Sequence, residues 1–481
     1  MIRAGLWAMI GTVVNQGVRL AVVIILARLL TPEAFGIVAA TQVIFQFSEV
    51  FVRFGVGPAL IQTDQLTRRM ERTATTLMLG MAIVFGGAFI VLAPTFGRLL
   101  NVPQMSEIMP VMVFAFVVSA GANAGLSLLT REMRFRRLAM IEIGSSVIGY
   151  APIAIGLAWA GMSYWSLVLA TTAQATFLAV GIFASRPVPP TFDLRRSDLS
   201  PLMRFGGGVL LSQIFNTIAL KGDNMVVSAT LGVGPLGYYS RAYALMDTAN
   251  SVAGTVFYKV LFPAFAKQRG EGQDMAARAN AFYMSHAVST LVIVPLMAFM
   301  CLMAGPLVEL LLGPQWAATT DILKIFSLGM FFRLAYKVSG AFVIAEGAVY
   351  RGAWRQFVYA LLVIGGAFLG SRYGLEGVAV AVLIALWWQF ASLTNLSNKL
   401  VGATWRGLLL YIWPFLAAGA VAYALTPKIL ELITAVDAGP AAELALAGII
   451  LLVIYGITLA LMWRARAVGA IIRYSVKKLR R

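Results

Sequence analysis

Charged and amide side chains sit where this sequence is otherwise apolar. Arg19 lies in the first apolar stretch, with Asn15 and Gln16 one turn away. Glu49 and Arg53 lie in the second at i,i+4, a spacing that puts both on one helix face. Lys221 and Asp223 lie in the seventh, which also carries Asn216, and Arg241 and Asp247 lie in the eighth. Arg333 and Lys337 lie in the tenth, again at i,i+4. A charge in mid-bilayer is costly unless it meets water or a partner, so such a set marks a hydrophilic cavity. Its six cations outnumber its three acids. A net cationic cavity suits an anionic ligand, and phosphate first, because guanidinium forks match its oxygens. Glu49–Arg53 and Lys221–Asp223 also read as self-neutralising pairs. Arg19, Arg333 and Lys337 have no obvious local partner. Glu49, Asp223 and Asp247 are the candidates for coupling to a cation.

The elements that must hold these residues are membrane helices. The 481 residues are 60% hydrophobic and 12% charged, against about 45–50% and about 25% in soluble domains. The excess recurs as runs of about 20 residues, long enough to span a bilayer. Alternating polarity is absent, which argues against a β-barrel, and helices satisfy their own backbone in lipid. The first run begins directly after Met1–Arg3, shows no cleavage signal and reads as the first helix of the mature protein. The pattern predicts an all-α membrane protein of about fourteen transmembrane helices. Residues 1–184 form a six-helix lobe, 185–204 a proline-rich cytoplasmic linker and 205–398 a second six-helix lobe. Residues 399–464 add two helices, and 465–481 form a basic tail.

The net charge of +18 is distributed by side. Alternate connections collect Arg68, Arg69 and Arg72, then Arg131, Arg134, Arg136 and Arg137, then Arg186, Arg195, Arg196 and Arg204. Arg464 and the tail add seven more cations, while the intervening connections carry few. Basic residues mark cytoplasmic loops, so both termini are expected in the cytoplasm, and the charge requires no nucleic acid. No Walker loop, zinc-binding cluster or His- or Cys-based triad is present, and the sequence implies no cofactor. His286, the single histidine, reads either as a hydrogen-bonded structural group or as a proton carrier. Cys301, the single cysteine, reads as a small buried hydrophobe.

The two halves repeat. Leu30-Thr-Pro-Glu-Ala-Phe-Gly36 corresponds to Leu231-Gly-Val-Gly-Pro-Leu-Gly237, and Leu99-Leu-Asn-Val-Pro-Gln-Met105 to Leu310-Leu-Leu-Gly-Pro-Gln-Trp316. Asn15 aligns near Asn216. Six helices per repeat return the chain to its starting side. Both lobes should therefore run parallel about a pseudo-twofold axis along the membrane normal, around a central cavity. Rocking of the lobes would expose that cavity to each side in turn.

Leu29-Leu-Thr-Pro-Glu-Ala-Phe-Gly36, Phe54-Gly-Val-Gly-Pro-Ala-Leu-Ile-Gln62 and Lys221-Gly-Asp-Asn-Met-Val-Val227 resemble segments of bacterial polysaccharide exporters of the Wzx type. Leu236-Gly-Tyr-Tyr-Ser-Arg-Ala-Tyr243 and Leu261-Phe-Pro-Ala-Phe265 do so too. The resemblance covers about residues 1–400 and is greatest to the colanic-acid-exporter-like branch of the multidrug/oligosaccharidyl-lipid/polysaccharide exporter superfamily. It implies a flippase of the bacterial inner membrane, not an enzyme. The cargo would be a polyprenyl-diphosphate-linked oligosaccharide, moved from the cytoplasmic to the outer leaflet for exopolysaccharide, O-antigen or capsule export. A diphosphate would account for the cationic cavity: Arg19, Arg333 and Lys337 are expected to contact it, Arg53, Lys221 and Arg241 are the further substrate-binding candidates, and Asn15, Gln16 and Asn216 would line the sugar path. Lys221 and Asp223 fall on the family's basic-x-acidic position. Membrane lipids and a polysaccharide polymerase with its chain-length machinery are the implied partners. The alternatives are a cation-coupled drug or metabolite antiporter of the same superfamily, a membrane-embedded glycan polymerase or ligase, and a passive scramblase.

Overall fold

The computed structural model describes residues 2–52, 56–63, 66–191, 207–256, 275–433 and 440–464. Among the described residues there is no strand. Among the described residues fourteen helical segments exceed twenty residues, as the hydropathy pattern predicts. They are α1 (Ile2–Leu29), α2 (Pro32–Val52), which the short α3 (Val56–Gln62) follows, α4 (Arg68–Leu99) and α5 (Met105–Arg131). Next come α6 (Phe135–Gly144) and α7 (Ala151–Trp159), joined into one span by a π turn, Ser145–Tyr150, and then α8 (Ser163–Ser185). The second series is α9 (Gly207–Leu231), α10 (Val233–Val256), α11 (Met275–Leu302), the short α12 (Ala304–Leu311) and α13 (Thr319–Ala345). It continues through α14 (Val349–Gly370) and α15 (Gly374–Val401), and α16 (Trp405–Ile433) and α17 (Pro440–Arg464) complete it.

Nine runs among the described residues are long and apolar enough to cross a bilayer, one of them, Val349–Val401, comprising both α14 and α15. The chain is a multi-pass membrane protein. The long helices outside that set are α1, α2, α9 and α10. These are repeat-equivalent, and they carry most of the charged residues singled out in the sequence.

The structure divides into two compact units. One holds Met1–Ser240 with Gln356–Val378, the other Arg241–Arg355 with Ala379–Arg481. In the first, Ala122, Leu129, Ala179 and Ile182 form a core between α5 and α8. In the second, Phe282, Val338, Phe342 and Leu408 join α11, α13 and α16. Helix starts are fixed locally. Thr67 caps α4 by accepting from the Met70 N–H at 3.2 Å, which satisfies one of the helix's orphan donors.

The repeat has a direct structural signature within the first unit. A Cβ added to Gly36 would lie 1.7 Å from the Val233 carbonyl oxygen, and one added to Gly237 would lie 1.9 Å from that of Pro32. Residue 36 of the first repeat thus meets residue 233 of the second, and residue 237 meets residue 32. That reciprocity is the mark of a twofold contact. Only glycine permits it, because the starts of α2 and α10 touch backbone to backbone.

At the base of α4 the chain leaving α8 is tied down. Arg186 bridges Glu71 at 2.8 Å and Glu132 at 2.9 Å, and Arg134 also pairs with Glu132 at 2.8 Å. Burial weakens the charged form of Arg186, but its hydrogen bonds to Glu132 and the attraction of both carboxylates outweigh this and raise its pKa. In the second repeat Arg278, in the first turn of α11, pairs with Glu346 at the end of α13.

Candidate functional site

The polar cluster on α1 is completed by helices that the sequence presents as nearly free of charge. The π turn between α6 and α7 is favoured by Ser145, whose hydroxyl donates to the Glu142 carbonyl at 2.8 Å, and by Pro152, which has no N–H for the α-helical ladder. Such widened turns recur at functional sites. This one delivers Ser146, whose hydroxyl donates to Asn15 Oδ1 at 2.6 Å and accepts from Gln174 Nε2 on α8 at 2.9 Å. Arg19, one turn along α1, is exposed and attracts the Glu142 carboxylate. Gln16 is half-buried beside Asn15. Glu142, Ser146 and Gln174 are the residues that sequence reading missed. The available signal was an acid and two serines spaced i, i+3 and i+4 before a proline.

The second repeat makes the same connection. Asn216 on α9 accepts from Gln356 Nε2 on α14 at 3.0 Å. Asn15 and Asn216 are repeat equivalents, and each is bridged to the fifth helix of its own repeat. Phe215 and Phe357 flank the second bridge with ring centroids 5.0 Å apart.

Asp223 is buried, and its carboxylate accepts from the Tyr239 hydroxyl at 2.8 Å and from the Asn224 N–H at 2.8 Å. The bond from Tyr239 ties α9 to α10. Lys221 is half-buried, and Glu49 on α2 is exposed. Arg53 lies outside the described residues.

In the second unit Arg333 finds its partner on another helix rather than locally. Its Nη2 lies 3.0 Å from Asp247 Oδ1 on α10. Its Nη1 donates to the Tyr243 hydroxyl, and its guanidinium carbon stands 4.8 Å from the centre of that ring. Arg333 is 5% exposed, whereas the Asp247 side chain is 48% exposed. The guanidinium is therefore buried while its carboxylate partner remains half-exposed. Lys337, one turn on, stands within electrostatic reach of both. Arg241, on the same helix as Asp247, is half-buried. His286 is buried, with Nε2 3.1 Å from the Ser339 hydroxyl, which in turn lies 2.9 Å from Thr394 Oγ1. That is the hydrogen-bonded structural histidine. Glu142 adds a fourth acid to the three that the sequence singled out.

Residues 25–321 match the model of a family described as "Polysaccharide biosynthesis protein". The chain belongs to this family. Membership bears out the resemblance carried by segments such as Leu29–Gly36, Phe54–Gln62 and Leu236–Tyr243. The chain is 27% identical over 382 residues to a succinoglycan biosynthesis transport protein, ExoT, of Rhizobium meliloti (strain 1021), covering 79% of this chain and 76% of that relative. It is 24% identical over 431 residues to the lipopolysaccharide biosynthesis protein WzxC of Escherichia coli (strain K12), covering 87% and 86%. It also shares the fold of the lipid II flippase MurJ in an inward closed conformation. There the TM-score is 0.75 at 13% identity, covering 95% of this chain and 99% of the other.

Proposed function

We propose that this protein moves an oligosaccharide built on polyprenyl diphosphate from the cytoplasmic to the outer leaflet by alternating access. The six-helix repeats 1–184 and 205–398 act as its two lobes. The observation that carries this reading is the pairing of cations with amide and hydroxyl bridges inside the membrane helices of a polysaccharide biosynthesis family member. Arg19 and the Arg333–Lys337 pair suit the diphosphate. Asn15, Ser146 and Gln174, with Asn216 and Gln356, suit sugar hydroxyls, since amides both donate and accept. The names of the transport relatives support the substrate class, and the fold shared with a lipid II flippase supports the mode of action. The charge asymmetry of the connections supports cytoplasmic termini in the inner membrane. A polymerase with its chain-length machinery would receive the product, and 399–464 add two helices beyond the lobes.

Arg19→Gln, Arg333→Gln and Lys337→Gln test the cationic part, each expected to abolish export at normal protein level. Full export by the triple variant would remove these residues from the site. A second reading, a cation-coupled antiporter, is favoured by one feature, the half-exposed Asp247 carboxylate beside Arg333. Glycolipid flipping that vanishes when ion gradients are collapsed and with Asp247→Asn would make that residue the coupling site. Flipping that persists through both treatments would indicate passive movement.

A further inference from the structure

Away from the polar clusters, the first unit holds an apolar cleft of about 420 Å3, within the roughly 300–1,000 Å3 typical of small-molecule pockets. Leu79 on α4, Gly121 on α5 and Ala179 and Phe183 on α8 wall it, and Pro190 closes one end. The room comes from small side chains: a Cβ on Gly121 would meet nothing nearer than Leu79 Cδ1 at 3.9 Å. Phe183 and Val180, both lining the cleft, are 50% and 62% exposed. On membrane-spanning helices such exposed apolar side chains face hydrocarbon.

The Pro190 end is cationic. Arg72 Nη2 donates to the Pro190 carbonyl at 3.2 Å. The next residue, Thr191, exchanges two hydrogen bonds with Thr76, each of 2.8 Å. These bonds hold an exposed guanidinium at the mouth of an apolar cleft. Arg68, also exposed, lies one turn earlier on α4. A guanidinium has five donors and meets phosphate oxygens in pairs.

We propose that this cleft binds an anionic glycerophospholipid, with one acyl chain between α4, α5 and α8 and the headgroup phosphate on Arg72 and Arg68. The apolar walls account for the chain, and the cations at one end account for the phosphate. A hydrophobic peptide helix leaves the guanidinium unmatched. A polyprenyl chain, longer and branched along its length, outruns a cleft of this volume. The site uses none of the residues assigned to cargo, so it stands or falls independently of the flippase reading.

The test is native mass spectrometry of the purified full-length chain, offered phosphatidylglycerol and phosphatidylcholine with identical acyl chains. Phosphatidylglycerol should be retained preferentially, by about fivefold for each arginine engaged. Gly121→Leu should fill the cleft and abolish retention of one lipid without lowering Tm, and Ala179→Leu provides a second filling variant. Arg72→Gln should bring the two lipids closer to parity while neutral lipid still binds. Retention unchanged in both filling variants, or no preference in the unaltered protein, would overturn the proposal. Displacement of phosphatidylglycerol by equimolar undecaprenyl phosphate would overturn the identity of the ligand.

Discussion

The glycine contact between the repeats can be perturbed by a single methyl group. Gly36→Ala places a Cβ 1.7 Å from the Val233 carbonyl oxygen, where ordinary contact begins at 3.4 Å. The obstacle is backbone, so the starts of α2 and α10 must part by about 1.7 Å. Overpacking of this kind costs about 1–3 kcal/mol. Any state in which the two helix starts are apart escapes that cost, so its population should rise about 5- to 150-fold relative to the closed state. The assay is modification of Ala34→Cys by an impermeant maleimide in a Cys301→Ser background, since Ala34 is 1% exposed, on the first turn of α2. Gly36→Ala should accelerate labelling by that factor, and Gly237→Ala, which meets Pro32 at 1.9 Å, should do the same. The double variant should gain less than the product of the two, because the first methyl has already opened the gap for the second. An unchanged labelling rate in folded Gly36→Ala would refute the twofold backbone contact.

Other consequences follow from single contacts. Gln356→Leu removes the donor to Asn216 and should lower Tm by an amount corresponding to about 1–3 kcal/mol. Gln174→Leu should have a similar effect through Ser146, and differential scanning fluorimetry of both checks the pairing of the repeats. Arg333→Lys should not restore export to the Arg333→Gln variant, because one ammonium cannot reproduce the planar fork that spans Tyr243 and Asp247. Arg186→Met strands the buried Glu71 carboxylate and should cost about 1.5–3 kcal/mol, part of which Glu71→Gln recovers. Because the Arg186 pKa is raised, its stabilisation is fully present below the ordinary guanidinium range and is lost only as pH rises above it. Tm profiles of the two proteins across neutral pH should therefore run parallel.

The helices were legible because each needs only its own apolar length, and that information is local. The repeat was legible because its turns are punctuated by Pro and Gly. The reason for the repeated glycines was not legible, because Gly36 and Gly237 serve a backbone contact between segments far apart in the chain. The partner of Arg333 was hidden for the same reason: i,i+4 reasoning sees one helix, and Asp247 comes from another. Ser146 and Gln174 were overlooked because a count of charges passes over neutral polar groups, and Glu142 because it is the single acid of the Phe135–Trp159 span. The π turn that aims Ser146 at Asn15 depends on Pro152 acting on a helix that hydropathy reads as continuous. The bond from Tyr239 to Asp223 was likewise out of sight, because it joins the Lys221-x-Asp223 segment of α9 to a residue on α10.

The most direct test of the central claim is the leaflet distribution of lipid-linked oligosaccharide in cells with and without this protein. A membrane-impermeant lectin or glycan-modifying enzyme applied to right-side-out vesicles reads it. The account predicts that loss of the protein traps the glycolipid on the inner face, and that Arg333→Gln reproduces the trap at normal protein level. An unchanged distribution, with efflux of small cations reduced instead, would contradict it and move attention to Glu49, Asp223 and Asp247.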